Sequence, residues 1–352
     1  MNDQKEKYMR RCLELAKLGE GRTAPNPMVG SVIVHEGKII GEGFHQQYGS
    51  HHAEVNAINS VKNQELLPHS TLYVNLEPCA HFGKTPPCAD LIVEKKIQNV
   101  VIGTSDPFAM VAGKGIEKLK KAGCNVDVGV LTNECLELNR RFFTFHDKKR
   151  PYIILKWAQT TDGYVDRERD FNMLGEPTWI TNEIARIAVH KQRSTEQAIF
   201  VGTKTVLKDN PSLTLRDWFG KQPIRITIDN HSRLSSELKI FSGDLPSIVC
   251  TTEKNKCSYK NLTFLSNIKD LITDLMNYLY TKEIQSIIIE GGPETLQKFI
   301  DRNLWDEAHV YMGDKTFGSG IKAPTFIAKA SKFEQLYNSE LNVYRNNGCN
   351  FK

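Results

Sequence analysis

No apolar run in this chain reaches the roughly 18 residues of a membrane-spanning helix, so no spanning segment is expected. The opening, MNDQKEKYMRR, is charged and has no apolar stretch of the secretory kind, which points to a cytoplasmic protein. Cysteine is too sparse for a disulfide framework: eight in 352 residues suggest free thiols in a reducing cytosol. Charge of one sign is nowhere massed. The 46 Lys and Arg against 41 Asp and Glu leave a net +5, scattered along the chain. Nothing there demands a nucleic-acid surface, and a few convergent cations would suit a phosphorylated small substrate equally well. Internal repeats and low-complexity segments are also missing.

What remains is an ordinary globular composition, 40% hydrophobic and 25% charged, long enough for two domains. One stretch dominates it. His51-His52-Ala53-Glu54 is followed by Glu77-Pro78-Cys79 and, nine positions on, by Cys88. His52, Cys79 and Cys88 offer one imidazole and two thiolates, three protein ligands that leave zinc a fourth position for water. A structural zinc site would want four protein ligands, so the pattern favours a catalytic one. Glu54, two residues past His52, can stand beside the metal as a proton carrier. The H-x-E…P-C…C pattern is that of zinc-dependent nucleobase deaminases. Zinc would bring a water to deprotonation near neutral pH, and Glu54 would act as base and then acid while ammonia leaves. The usual C-x-x-C is stretched here to an eight-residue spacer, Ala80 to Pro87. Helix N-termini are expected to favour thiolate at Cys88 and, if a turn of helix follows it, at Cys79. The other six cysteines read as core residues or exposed thiols, and His35, His69, His146, His190 and His309 as ordinary polar groups. Asn26, in the Pro- and Gly-punctuated loop Thr23 to Gly30, leaves two readings open: a simple turn, or an amide that binds a sugar or base edge.

Helical spacing predicts an opening helix over 4–18, then strands at 31–34 and 38–44 joined at Gly37. A helix over 53–61, a strand over 71–76, a helix over 89–96, a strand over 99–103, a helix near 114–122 and a strand over 126–130 follow. This alternation predicts a layered α/β/α domain. The segment from Arg140 to Pro151 reads as basic and irregular, and the domain boundary is placed there, giving 1–146 and 147–352. The second half shows strand signals at Pro151–Ala158, 197–201, 224–229, 247–251, 286–290 and 308–312, with helices near 182–192 and 294–300. It is a second α/β domain without a His/Cys cluster.

The block Glu77 to Cys88, with its long spacer, resembles the bifunctional riboflavin-biosynthesis deaminase–reductases, as does Pro25-Asn26-Pro27-Met28-Val29-Gly30. The similarity extends into the second half through Leu155-Lys156-Trp157-Ala158, Trp179-Ile180-Thr181, Val201-Gly202, Asp209-Asn210-Pro211, Leu213-Thr214-Leu215-Arg216 and Glu290-Gly291-Gly292-Pro293. The resemblance implies a cytidine-deaminase-like first domain and a dihydrofolate-reductase-like second one. It also implies two consecutive steps on one intermediate. A diamino-pyrimidinone ribosyl phosphate is deaminated on zinc, and NADPH then delivers hydride to C1′ of the opened ribose. His81 and Lys84 would line the deaminase pocket, Lys84 holding the phosphate. Ala158, Trp179, Thr205, Asp209, Asn230, Gly291 and Gly292 would fall on the cofactor side. Arg193, Leu213, Arg216 and Glu290 would fall on the substrate side, with Lys156 assisting ring opening. Two positions depart from the family: Pro177 stands where a serine is frequent, and Asn230 replaces a small hydroxyl residue. The Glu290-Gly291-Gly292-Pro293 turn lacks a G-x-G-x-x-G fingerprint, so a dinucleotide fold of that kind is not supported. The partners expected are a small phosphorylated molecule and further copies of the chain, with neither nucleic acid nor membrane. The rival readings are a cytidine or transfer-RNA deaminase with an unrelated appendage, and a second half that only senses a nucleotide.

Overall fold

The computed structural model describes residues 2–81, 86–107, 112–168, 178–251, 262–265 and 270–346. Two compact units divide the chain, Met1–Lys148 and Lys149–Lys352. The first contains α1 (Asn2–Lys17), β1 (Gly30–His35), β2 (Lys38–Phe44), α2 (Ala53–Ser60), β3 (Thr71–Val74), α3 (Cys88–Glu94), β4 (Asn99–Ile102), α4 (Lys114–Lys121), β5 (Asn125–Val128), α5 (Thr132–Leu138) and α6 (Arg140–Lys148). Its five strands lie in the order β2-β1-β3-β4-β5. β1 runs antiparallel to β2 and β3, and β3, β4 and β5 run parallel. Side chains alternate between faces along a strand, and here both faces are apolar. Ile33, Leu72, Val74, Val100 and Ile102 pack against α2, α3 and α4. Val32, Val34, Tyr73 and Val101 pack against α1 and α5. Covering both faces with helices yields three layers.

Two glycines seat the helix that carries the metal motif. A Cβ on Gly41 would lie 2.6 Å from the Ala57 carbonyl oxygen, and one on Gly43 2.2 Å from the Ala57 nitrogen. α2 therefore rests on β2 at backbone contact, a distance that only the absence of a side chain permits.

The basic stretch read as irregular is α6, with Phe142, Phe143 and Phe145 buried. Its arginines and lysines drew attention away from three aromatic rings, whose burial outweighs the charge and makes helix the stable state.

The second unit contains β6 (Tyr152–Gln159), β7 (Tyr164–Asp166), α7 (Glu183–Thr195), β8 (Ala198–Val201), α8 (Thr203–Asp209), β9 (Ile224–Ile228), β10 (Ser247–Cys250), β11 (Leu262–Leu265), α9 (Leu271–Thr281), β12 (Ser286–Ile289), α10 (Pro293–Asp301), β13 (Glu307–Gly313), β14 (Ile321–Lys322), β15 (Ala330–Leu336) and β16 (Ser339–Arg345). Nine of the strands form one sheet in the order β11-β10-β9-β8-β12-β6-β13-β16-β15. The seven from β11 to β13 are parallel, and β16 and β15 close the edge antiparallel. α9 and α10 cover one face, while Val206 of α8 and Leu213 pack on the other. Crossovers in such a sheet leave a crevice at the carboxyl ends of the strands, the usual place for a ligand.

Candidate active sites

His52 is the N-cap of α2, so the helix start fixes its backbone, and Glu54 lies buried in the first turn. Cys79 follows β3 on irregular chain, and Cys88 opens α3. His52 Nδ1 stands 3.3 Å from Cys88 Sγ and 3.6 Å from Cys79 Sγ. The three ligand atoms all lie within 4.8 Å of one another. Tetrahedral zinc, with bonds of about 2.0 Å to nitrogen and 2.3 Å to sulfur, would space its ligands by roughly 3.6 Å. The trio fits zinc, and among the described residues no fourth His, Cys, Asp or Glu joins it.

Burial pushes the Glu54 carboxyl up to about 7. The hydrogen bond that the His52 ring donates to Cys79 raises the His52 pKa against the effect of burial. The two thiols behave oppositely. Cys79 is drawn down to about 4, first by its contact with Cys88 and then by His52. Cys88 is pushed up by Cys79 and by burial. No helix follows Cys79 directly; instead the Cys88 backbone N–H donates to its sulfur at 3.3 Å.

Around the trio, Asn26 Nδ2 donates to His45 Nε2 at 3.1 Å, and His45 Nδ1 meets the His51 carbonyl at 3.0 Å. The carbonyl can only accept, so Nδ1 carries the proton and Nε2 receives the amide. Burial lowers the His45 pKa, in keeping with that neutral ring. His45 stacks edge-on to His52 with ring centroids 5.5 Å apart. The Asn26 loop is held by two other asparagines: Asn139 bonds both the nitrogen and the carbonyl of Met28, and Asn75 bonds the Met28 carbonyl and the Gly30 nitrogen. His81 Nδ1 is buried without a hydrogen-bond partner among the described residues. Lys84 and Pro177 lie outside the described residues.

Sequence reasoning missed His45, which bears no diagnostic spacing to the metal motif. It also read Glu77 only as part of a pattern. The buried Glu77 carboxylate accepts four backbone N–H groups: Asp106 and Gly113 on Oε2, Gly115 and Ile116 on Oε1. It closes the start of α4 against Pro78, where a Cβ on Gly115 would lie 1.9 Å from the Pro78 carbonyl oxygen. Glu77→Gln replaces one acceptor oxygen by a donor that faces two further donors. The expected result is a loss of about 3 kcal/mol in the first unit and faster zinc release to a chelator, read by thermal unfolding and a zinc-sensitive dye. Unaltered zinc release would show that the segment does not depend on this carboxylate.

The second unit holds a cavity of about 580 Å³ at the carboxyl ends of β6, β12, β8 and β9. Eight of the residues singled out from sequence line it: Lys156 and Ala158 on β6, Thr205 and Asp209 on α8, Asn230 after β9, and Glu290, Gly291 and Gly292 after β12. Arg193 reaches it through Glu290, clamped by Nε at 2.7 Å and Nη2 at 2.8 Å. Lys156 Nζ meets the same carboxylate at 3.3 Å. Burial alone would raise the Glu290 pKa, but Arg193 and Lys156 together hold it down at about 2. Burial lowers the Lys156 pKa, with Glu290 opposing.

Three other candidates are placed differently. The Trp179 ring is half exposed under the Arg186 guanidinium, although its neighbours Thr178 and Ile180 line the cavity. Leu213 sends its side chain into the core and sits at φ +55°, so only its backbone could face a ligand. The Arg216 side chain is exposed, while its N–H donates to His190 Nδ1. His190, pushed down to about 4 by burial, is a neutral acceptor there.

Comparison with known proteins adds two family matches: a RibD C-terminal domain over residues 151–344, and a cytidine and deoxycytidylate deaminase zinc-binding region over 2–104. Among curated proteins, the riboflavin biosynthesis protein RibD of Aquifex aeolicus is 41% identical over 320 residues, covering 89% of this chain and 88% of that one. The protein of that name from Escherichia coli is 36% identical, over 91% of this chain and 90% of its own. A Thermotoga maritima structure, named as a diaminohydroxyphosphoribosylaminopyrimidine deaminase/5-amino-6-(5-phosphoribosylamino)uracil reductase, aligns with a TM-score of 0.88 at 37% identity, over 98% of this chain and 99% of that one. RibD of Acinetobacter baumannii also aligns at 0.88, with 31% identity over the same shares of the two chains.

Proposed function

The chain belongs to the bifunctional riboflavin biosynthesis deaminase–reductases, and from that premise we propose how its residues divide the two reactions. It is an enzyme of riboflavin biosynthesis with a zinc-dependent deaminase half and an NADPH-dependent reductase half. The substrates assigned are those in the name of the Thermotoga relative: the diaminopyrimidine is deaminated, and the phosphoribosylaminouracil so formed is reduced to its ribityl counterpart.

The convergence of His52, Cys79 and Cys88 beside buried Glu54 carries the deaminase reading. These three residues would hold zinc, which when bound makes a water acidic enough to attack near neutral pH. Glu54 receives that water's proton and returns it to the departing amine, and its burial keeps bulk solvent from exchanging the proton in transit. Asn26 and His81 take the substrate's polar edge, His81 offering an unpartnered ring nitrogen, and Lys84 takes its phosphate.

In the reductase half, NADPH, when bound, would supply the hydride that C1′ needs. Ala158, Trp179, Thr205, Asp209, Asn230, Gly291 and Gly292 are assigned to the cofactor, Trp179 by its backbone. Lys156 supplies a proton to the ribose ring oxygen as the C1′–O bond opens, and Glu290, fixed by Arg193, holds Lys156 in place. Arg216, Arg193 and the Leu213 backbone are assigned to the phosphorylated substrate.

Elemental analysis is expected to find one zinc per chain. Stripping it should stop ammonia release and leave NADPH oxidation with pre-deaminated substrate unchanged. Ammonia release by zinc-free protein would sink the deaminase mechanism.

We assign the chain to the cytoplasm, in keeping with six unpaired thiols among the described residues and no described helix long and apolar enough to cross a membrane. A homo-oligomer is also part of this reading. β15 is an edge strand whose residues 330–335 are all exposed, Phe333 among them, and its outer row of backbone N–H and C=O groups is open to pairing with another copy. Light scattering should give more than one chain per particle.

A further inference from the structure

Behind Lys156 stands a row of polar side chains that the cavity itself does not reach. The parallel register sets Ile154, Lys156 and Ala158 of β6 beside Glu307, His309 and Tyr311 of β13, all on the face that α7 covers. Lys156 and Ala158 line the cavity, whereas Tyr311 is 1% exposed and does not. The Lys156 ammonium lies 5.6 Å from the centroid of the Tyr311 ring.

Lys156 is short of negative charge. It meets Glu290 at 3.3 Å, but Arg193 takes that carboxylate through two shorter bonds of 2.7 and 2.8 Å. Burial pushes the Lys156 pKa down, Glu290 opposes it, and Arg193 adds to the lowering. The other groups nearby are engaged elsewhere. His190 of α7 accepts the Arg216 N–H, Asp166 of β7 accepts the Thr178 hydroxyl, and Glu307 accepts from His309. The face of an aromatic ring carries the negative part of its quadrupole, and its attraction for an ammonium grows when both are out of water.

That ring is held from behind. Tyr311 Oη donates to Gln192 Oε1 at 3.5 Å, the Gln192 amide meets His309 Nδ1 at 2.9 Å, and His309 Nε2 meets the buried Glu307 carboxylate at 2.9 Å. The carboxylate can only accept, so Nδ1 receives the amide N–H and the amide oxygen is left for the phenol. Arg345 stands 3.6 Å from the other Glu307 oxygen. Burial pushes the phenol pKa up, with Glu290 and Glu334 adding to it, so the hydroxyl keeps its proton.

Resting on Lys156 as the proton donor of the reductase, we propose that Tyr311 is a positioning residue for that step: its ring, held by Gln192, His309 and Glu307, keeps Lys156 charged and in place until the ribose oxygen takes the proton.

The alkaline limb of kcat/KM for NADPH oxidation, on the zinc-loaded full chain with pre-deaminated substrate, reads that proton. A donor works while protonated, so activity falls as pH rises through its pKa. Tyr311→Phe keeps the ring and should leave the limb in place. Placing 3,4,5-trifluorophenylalanine at 311 keeps the shape but cancels most of the negative face, and should move the limb down by about one pH unit. Tyr311→Leu should move it the same way. The position of a limb does not depend on how much of the protein has folded, so partial misfolding cannot imitate the shift. Coincident limbs for the phenylalanine and its fluorinated form overturn the proposal. So does an equal shift in Tyr311→Phe, which would assign the effect to the hydroxyl. Lys156→Arg tests the underlying reading separately, since a guanidinium does not titrate in this range. A limb that survives it belongs to another group and removes Lys156 as donor; a limb lost to it but indifferent to fluorination removes only the part given to Tyr311.

Discussion

Glu54→Gln should abolish measurable ammonia release, a loss on the order of 10² to 10⁴-fold, while zinc stays bound and reduction of pre-deaminated substrate continues. The glutamine keeps the size and polarity of the side chain in its buried first turn of α2 but cannot carry a proton. Its position outside the trio is what separates the two outcomes, because His52, Cys79 and Cys88 are the group whose ligand atoms converge. Zinc content and the two half-reactions, measured on the same preparation, decide it. Zinc lost along with activity would make Glu54 a ligand and not a proton carrier.

Glu290→Ala should do the reverse, ending NADPH oxidation and sparing ammonia release. It also removes the one carboxylate between two buried cations, Arg193 and Lys156, at 12% and 14% side-chain exposure. Breaking a buried pair by deleting one partner costs about 3–5 kcal/mol, so the second unit should melt markedly earlier. The acid limb of stability follows from the same pair. Glu290 in the folded state has its pKa held at about 2, below the roughly 4.3 of an unfolded glutamate. Its contribution is therefore complete above about pH 4.5 and is lost as pH falls toward 2. Denaturant titrations across that window should show a slope that Glu290→Ala flattens. An equal slope in the variant would mean that the pair contributes no net stability.

The metal trio was legible because its spacing is local chemistry: a helix start, a strand end and a second helix start are each written in a few neighbouring residues. Glu77 and His45 were not, since what they do depends on chain brought from elsewhere, four loop N–H groups for one and the Asn26 amide for the other. α8 and α9 escaped notice, as did β15, where exposure on both faces erases the alternation by which a strand is read. The reductase motifs located backbone better than side chains. Trp179 and Leu213 lie in their motifs, yet both point away from the cavity, because a motif position does not say which way a side chain turns.

Gly43 has no reactive group and touches neither reactant, yet a single methyl there would press on the spine of α2 just where the sheet allows it no room. The helix could yield only by lifting, and its first turn would carry an imidazole and a carboxylate away from two sulfurs that stayed behind. The hydrolytic half of this enzyme thus depends on two empty places on a neighbouring strand as much as on its donors, and damage there would present as metal starvation in a protein whose ligands are all intact.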